Sequence, residues 1–292
     1  MNVLTPPVQE VDRATVQQWL PALDAWLLPG AFYSVQHTWP QLYRSDGRGR
    51  FFVITDGETL LSHCATRIVH VQAGEHAFAA CLLGSVATDP AQRGRGLAQA
   101  VLAAALEANA SAAPYTLLWA ERPELYARAG FQPGRDELCV VLARRPHPDR
   151  TGVRPATIAD HDALHALHEQ KPFRVQRSAS TMSGLLSTPG MTTLVLERDA
   201  RIVAYACCGK GADLHEHWHE LGGSDDDLAR LLPAALHHTG QIEAVLLVPP
   251  WRRRLRELLA RHVVDEGVVP GPMWRSTAGE LPPCWIDGLD SV

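Results

Sequence analysis

The segment Gly84-Ser85-Val86-Ala87-Thr88-Asp89-Pro90-Ala91-Gln92-Arg93-Gly94-Arg95-Gly96-Leu97-Ala98 decides the reading of this chain. It begins strand-like, passes through a turn rich in Gly and Arg, and opens a helix, because Leu97, Val101, Leu102, Ala105 and Leu106 recur at helical spacing. Such a turn offers successive backbone N–H groups and the positive end of a helix to an anion, and a pyrophosphate is the natural guest. Gly94 and Gly96 let the backbone approach phosphate oxygens, Ala98 keeps the first helical turn slim, and Arg93 and Arg95 add charge-assisted contacts. A dinucleotide fingerprint starting at Gly94 needs a glycine at position 99, where Gln99 stands, and the P-loop pattern G-x-x-x-x-G-K-[ST] is absent.

Working outward, the pattern predicts a strand near 8–11, a helix over 15–28, and strands over 51–54, 60–70 and 77–88, with Asp56-Gly57 turning the first hairpin. Beyond the helix at 96–109, Pro114 precedes a short buried strand over 115–119, a short helix over 123–129 stopped by Gly130, and a strand over 138–143. The charged, Pro- and Gly-containing stretch 144–152 reads as a connection between domains, 1–146 and 152–292. After it the order of elements restarts: a strand at 153–155, a helix over 160–170 capped near Thr157 or Asp160, and a hairpin turned by Arg198-Asp199-Ala200. A helix over 228–237, a strand over 242–248 and a helix over 251–262 follow. Two related folds in tandem explain that repetition.

The turn resembles motif A of the GNAT N-acetyltransferase superfamily, whose [RQ]-x-x-G-x-[GA] signature matches Arg93, Gly96 and Ala98. Leu125-Tyr126-Ala127-Arg128-Ala129-Gly130-Phe131 resembles the family's Y-x-x-x-G-F element, at the distance the family sets. The resemblance covers the N-terminal half and implies an α/β (α+β) class, each domain a mixed, mostly antiparallel sheet flanked by helices. It implies acetyl-CoA as co-substrate, its pantetheine arm along Val86, Ala87 and Thr88 and its pyrophosphate at Arg93, Gly94, Arg95, Gly96, Leu97 and Ala98. An amine, small-molecule or on a peptide or protein, would attack the thioester directly, and Tyr126 would protonate or hydrogen-bond the departing thiolate. The base is left unassigned between Glu121, Glu124 and a water chain. A GNAT-like module that holds CoA or a partner without turnover is the alternative.

The second half opens like the family at 153–160 but carries Gly222-Gly223-Ser224-Asp225-Asp226-Asp227 where the arginines would stand, and acids there repel a pyrophosphate. It reads as a degenerate copy that shapes the acceptor site or an interface. His215-Glu216-His217-Trp218-His219 matches H-E-x-x-H, yet Gly222-Gly223 ends any helix at once and element order puts the segment on a strand; there His215, His217 and His219 would line one face, a conceivable metal site that matches no recognised pattern, and no metal is expected. His161, His165 and His168 share a helix face, and Arg252, Arg253, Arg254 and Arg256 form a basic run; both are read as solvated. Trp19, Trp26, Phe32, Tyr33, Trp39 and Tyr43 are read as core or cover, with caging of a cationic amine the other use of such a set.

A chain of 292 residues with 46% apolar content can bury full cores. A net charge of −5 argues against nucleic acid as a partner. The opening residues lack the pattern of a secretory leader, and no window has the apolar length of a membrane span. Six cysteines without a C-x-x-C pair read as free thiols in a reducing compartment. The expectation is a cytoplasmic protein, with homo-oligomer formation left open.

Overall fold

The computed structural model describes residues 6–44 and 47–292; residues 1–5, within the stretch read for a leader, and 45–46 lie outside it. The first half runs β1 (Gln9–Val11), α1 (Arg13–Gln17), α2 (Leu20–Leu27), α3 (Val35–Thr38), α4 (Pro40–Tyr43), β2 (Arg50–Asp56), β3 (Thr59–Ala73), β4 (His76–Thr88), α5 (Leu97–Asn109), β5 (Tyr115–Leu118), α6 (Pro123–Ala127) and β6 (Glu137–Ala143). The second runs β7 (Val153–Pro155), α7 (His161–Glu169), β8 (Phe173–Val175), α8 (Ala179–Leu186), β9 (Thr192–Arg198), β10 (Arg201–Cys208), β11 (His217–Gly223), α9 (Asp225–Thr239), β12 (Glu243–Val248), α10 (Arg253–Leu259), β13 (Val263–Val269) and β14 (Met273–Ser276). The single helix expected over 15–28 is two, because Pro21 has no N–H for the Gln17 carbonyl and its ring would strike it.

Two mixed sheets result. One has the order β1-β2-β3-β4-β5-β14 with β8 also paired to β3, the other β13-β6-β12-β11-β10-β9-β7. In each, one neighbouring pair is parallel, β4 with β5 and β11 with β12, and the rest are antiparallel. On the first sheet α5 presents Leu97, Val101, Leu102 and Ala105 to one face, while residues of α1, α2 and α4 cover the other. On the second, α9 and α10 cover one face and α7 and α8 the other.

Strand membership departs from the expected boundary at 146–152. β6 pairs with β12 and β13 in the second sheet, and β14 pairs with β5 in the first, so the halves exchange strands. Where the two segments cross, a Cβ on Gly134 would lie 2.1 Å from the Pro272 carbonyl oxygen, and one on Gly271 would lie 2.0 Å from that of Arg135. The crossing is a backbone-to-backbone contact that only glycine permits. The sequence carries no local signature of which sheet a strand joins.

Between the sheets lies a cluster of buried charges. Arg177 binds both oxygens of Glu220 at 2.7 and 2.8 Å and Asp290 at 2.5 Å, and Lys171 bridges Glu220 at 3.2 Å and Asp287 at 2.9 Å. Tyr205 donates to Glu220 at 2.8 Å, Trp285 to Asp287 at 3.1 Å, and Arg67 to Asp290 at 3.3 Å. His168, Glu220 and Asp287 stand close enough to share an ion, but Lys171 and Arg177 already neutralise both carboxylates. The cluster corrects one expectation: His168 is fully buried, donating to the Val175 carbonyl at 2.8 Å, while His161 bonds Ser183 and His165 bonds the Arg177 carbonyl. Their helix face is an interface because β8 and α8 pack on it.

The paired guanidiniums and carboxylates make removal of one partner costly, since it strands the others in a dry site. Arg177→Ala is expected to lower the unfolding free energy by about 3–5 kcal/mol, read from the guanidinium midpoint of the full chain. Arg254→Ala, which breaks only an exposed pair with Asp226, is expected to leave the midpoint nearly unchanged.

Candidate active site

The site grows from an irregularity in β4. Ala87 pairs with His63 and Gly84 with Ala65, so β4 advances three residues while β3 advances two, a bulge that holds Ser85 at φ 53°. His63 donates from Nδ1 to the Ser85 carbonyl at 2.7 Å, and Tyr43 and Ser85 share a hydroxyl hydrogen bond of 2.5 Å. Burial pushes His63 down to about 4, so its ring is neutral at physiological pH. Past Leu82, which pairs with Leu117, β4 and β5 share no further register, and a gap opens between residues 83–88 and the end of β5.

Asp89 donates its backbone N–H to Leu61, so odd positions of this stretch face β3 and the even positions Val86 and Thr88 turn toward the gap. Ala87 departs from the role the resemblance implies: its carbonyl accepts from Ser62 at 3.0 Å and its methyl is in the core. On the face of β4 opposite α5, a Cβ on Gly84 would lie 2.4 Å from the Val292 carbonyl carbon, so the chain's last described residue packs directly on the strand.

Asp89 caps a short turn at Ala91, and the chain then passes through Gly94 at φ 79° and Gly96 at φ 77°, with no atom within 4 Å of a Cβ built on either. Gly96 is the N-cap of α5 and offers no side chain, which leaves the first-turn N–H groups of Leu97, Ala98 and Gln99 outside the helical ladder. Arg93 reaches the Thr88 carbonyl at 3.5 Å, Arg95 bonds Gln92, and both are exposed. Positive backbone angles, free N–H groups, open space and two arginines fit a pyrophosphate. Gln99 donates to the Leu125 carbonyl at 3.0 Å, tying this helix to α6, where Tyr126 packs edge-on against Phe131 at 6.1 Å. Burial pushes Tyr126 up to about 12, with Cys64 and Glu121 adding smaller effects, so its hydroxyl stays protonated and can donate.

Glu121 and Glu124 are exposed, and Glu124 pairs with Arg122 at 3.1 Å. A carboxyl not singled out from the sequence lies near the end of β5: Glu137, at the start of β6, accepts from the Trp119 side chain just past β5. Burial pushes it up to about 7, opposed by Trp119 and assisted by Asp287. Its only sequence signal was a Glu opening an otherwise apolar strand. Of the aromatics, Trp19 and Tyr43 are core and Phe32 is 94% exposed.

The second sheet repeats the geometry and closes it. β11 and β12 pair only at His217 with Val245 and Trp218 with Leu246, and the gap beyond is entered by Arg252. Arg252 is buried, correcting its reading as solvated, and donates to the Gly223 carbonyl at 3.1 Å, the Leu221 carbonyl at 3.5 Å and Asp225 at 2.6 Å. Asp226 pairs with Arg254 and Asp227 with Arg198, so the start of α9 holds the protein's own carboxylates and their counterions. Gly223 has no open cradle, since a Cβ there would lie 2.4 Å from the Val203 carbonyl oxygen. The histidine motif forms neither a helix nor one strand face: β11 begins at His217, His215 lies in the preceding turn, and His219 is buried with Nε2 bonded to Gly209 at 3.2 Å.

Comparison with known proteins accords with this geometry. Residues 11–134 match the acetyltransferase (GNAT) domain. No curated protein matches the chain. Among solved structures, a protein from Enterococcus faecalis V583 described as a probable N-acyltransferase superposes with a TM-score of 0.69 at 13% identity, covering 92% of this chain and 72% of that one. A GCN5-related N-acetyltransferase from Kribbella flavida gives 0.67 at 16% identity over 94% and 72%, and one from Anabaena variabilis ATCC 29413 gives 0.68 at 14% over 92% and 72%. At such identities the likeness is one of fold, and its extent takes in both sheets. Residues 11–134 thus match the acetyltransferase (GNAT) domain, and the open Gly94–Gly96 turn and the gap beside β4 both lie within that matched stretch.

Proposed function

We propose that the protein transfers an acetyl group from acetyl-CoA to an amine at the gap between β4 and β5. The observation that carries this reading is the open turn at Gly94 and Gly96, aligned with the helical N–H groups of α5 and joined through Gln99 to the segment bearing Tyr126. Arg93, Gly94, Arg95, Gly96, Leu97 and Ala98 would hold the pyrophosphate, and the backbone of Val86 and Thr88 would receive the pantetheine arm. Acetyl-CoA supplies the acyl group already activated as a thioester. The chain orients the amine against it, and backbone N–H groups along β4 meet the negative charge that grows on the carbonyl oxygen. Tyr126 donates a hydrogen bond to the departing sulfur; its raised pKa favours that over full proton transfer. The carbonyls that would face an arm in the second gap are taken by Arg252, which supports a single working site.

Acetyl-CoA at about one hundred times its dissociation constant is expected to stabilise the full chain by about 2.7 kcal/mol, read as a rise in melting temperature. Gly96→Glu brings a carboxylate into open space beside the turn and is expected to abolish that rise, whereas Arg254→Ala at the second turn keeps it. A rise that survives Gly96→Glu in folded protein contradicts the assignment.

Tyr126→Phe keeps the ring and its packing on Phe131 while deleting the hydroxyl. Single-turnover transfer is expected to fall by about 10²- to 10⁴-fold, with acetyl-CoA affinity little changed. A much smaller fall removes the hydroxyl from the chemistry, and binding without transfer to any amine in a broad panel supports the module that holds CoA without turnover.

Glu137 is neutral below pH 7 and negative above it, because burial has raised its pKa to about 7. For amines that are cations throughout this range, KM is expected to fall as pH rises through 7. Glu137→Gln flattens that dependence if the carboxylate is what the cation meets; an unchanged profile in the variant removes Glu137 from acceptor binding.

A further inference from the structure

A cleft of about 160 Å³ lies between α4, the middle of β3 and α8, away from the Gly94–Gly96 turn. Gln41, Arg44, Arg48, Arg67, Ser178 and Thr181 line it, and none of the described residues on its wall is acidic. Arg67 is 8% exposed; its one carboxylate partner among the described residues, Asp290 at 3.3 Å, is shared with Arg177. Arg48, which is exposed, stands close enough to Arg67 to repel it. Gln41 is 4% exposed, and both its amide nitrogen and its amide oxygen lack a hydrogen-bond partner among the described residues.

Two guanidiniums set against each other, one of them buried, cost free energy unless an anion lies between them. An unpartnered buried amide adds to that cost. Hydroxyls at Ser178 and Thr181 add donors on the opposite wall. We propose that this cleft is a binding site for a small anion, the phosphate or carboxylate group of a small molecule, gripped by Arg48 and Arg67 with the Gln41 amide donating beside them. Short links join it to the gap beside β4: Tyr43, two residues from Gln41, bonds Ser85 at the bulge, and Asp290, bound to Arg67, is two residues from Val292 on Gly84. The anion is therefore either the acceptor's own charged group or that of a separate molecule.

The test uses inorganic phosphate and the full chain carrying Arg93→Gln and Arg95→Gln, which weakens phosphate binding at the turn through two exposed residues. Phosphate is expected to raise the melting temperature more than chloride at equal ionic strength. Adding Arg48→Gln weakens phosphate binding about tenfold or more, and Arg48→Glu abolishes it. Because Arg48 is exposed, both variants fold. A phosphate effect no greater than that of chloride, or one unaltered in Arg48→Glu, overturns the site. Acceptor kinetics then separate the two sources: a raised KM only for amines that bear a carboxylate or phosphate assigns the anion to the acceptor, and lost phosphate binding with unchanged KM for all amines assigns it to a separate molecule. The phosphate measurement does not depend on transfer, so its failure is distinct from failure of the acetyltransfer reading.

Discussion

Arg177 joins the parts of this molecule that the chain leaves far apart. Its guanidinium meets Glu220 from β11 and Asp290 from the last described turn, while Lys171 and Arg67 complete the set from α7's end and from β3. Taking such charges out of water costs several kcal/mol per ion, and Coulomb attraction offsets this only when geometry and hydrogen bonding are complete. Here every oxygen of Glu220, Asp287 and Asp290 has a partner. The segment 285–292 is thereby held in one register against both sheets, and that register lays Val292 on Gly84 beside the gap between β4 and β5. The cluster thus links packing between halves to the shape of the site.

The two sheets together show how little separates an open turn from a filled one. Both sheets end one parallel pair early and start a helix at the opening. In the first, two glycines with positive backbone angles leave space for a guest. In the second, Asp225, Asp226 and Asp227 bring negative charge to the helix start, and Arg252, Arg254 and Arg198 answer it from within the chain. A helix N-terminus attracts an anion in either case. Whether that anion is a ligand or a side chain depends on the residues of the turn.

Much of this was readable from periodicity. The stripe on α5, the hairpin at Asp56-Gly57 and its counterpart at Asp199-Ala200, and the turn at 93–98 are local patterns, and each lies where the spacing placed it. Pro21 carried the signal that splits the first helix, by a rule that acts four residues back. What the sequence withheld is non-local. The exchange of β6 and β14, the burial of His168 and Arg252, and the charge cluster scattered over positions 67, 171, 177, 220, 287 and 290 depend on which surfaces meet, and no window of sequence contains both partners. Glu137 belongs with these, since its proximity to Trp119 follows from the exchange. Tyr126 was legible through a family motif, and the structure joins it to the turn through Gln99.

The strand exchange also governs the order in which the molecule can be built. β14 supplies the outer neighbour of β5, so the sheet that carries the open turn waits for residues 273–276 to leave the ribosome, long after its own helix and first five strands have emerged. Through that interval β5 presents a bare edge, and β6 has no partner until β12 arrives, a hundred residues later. Nascent chains with unpaired edges recruit chaperones or mispair. The crossing at Gly134 and Gly271 fixes an evolutionary consequence as well: neither half can be shed, shuffled or inherited alone, because each holds a strand of the other's sheet.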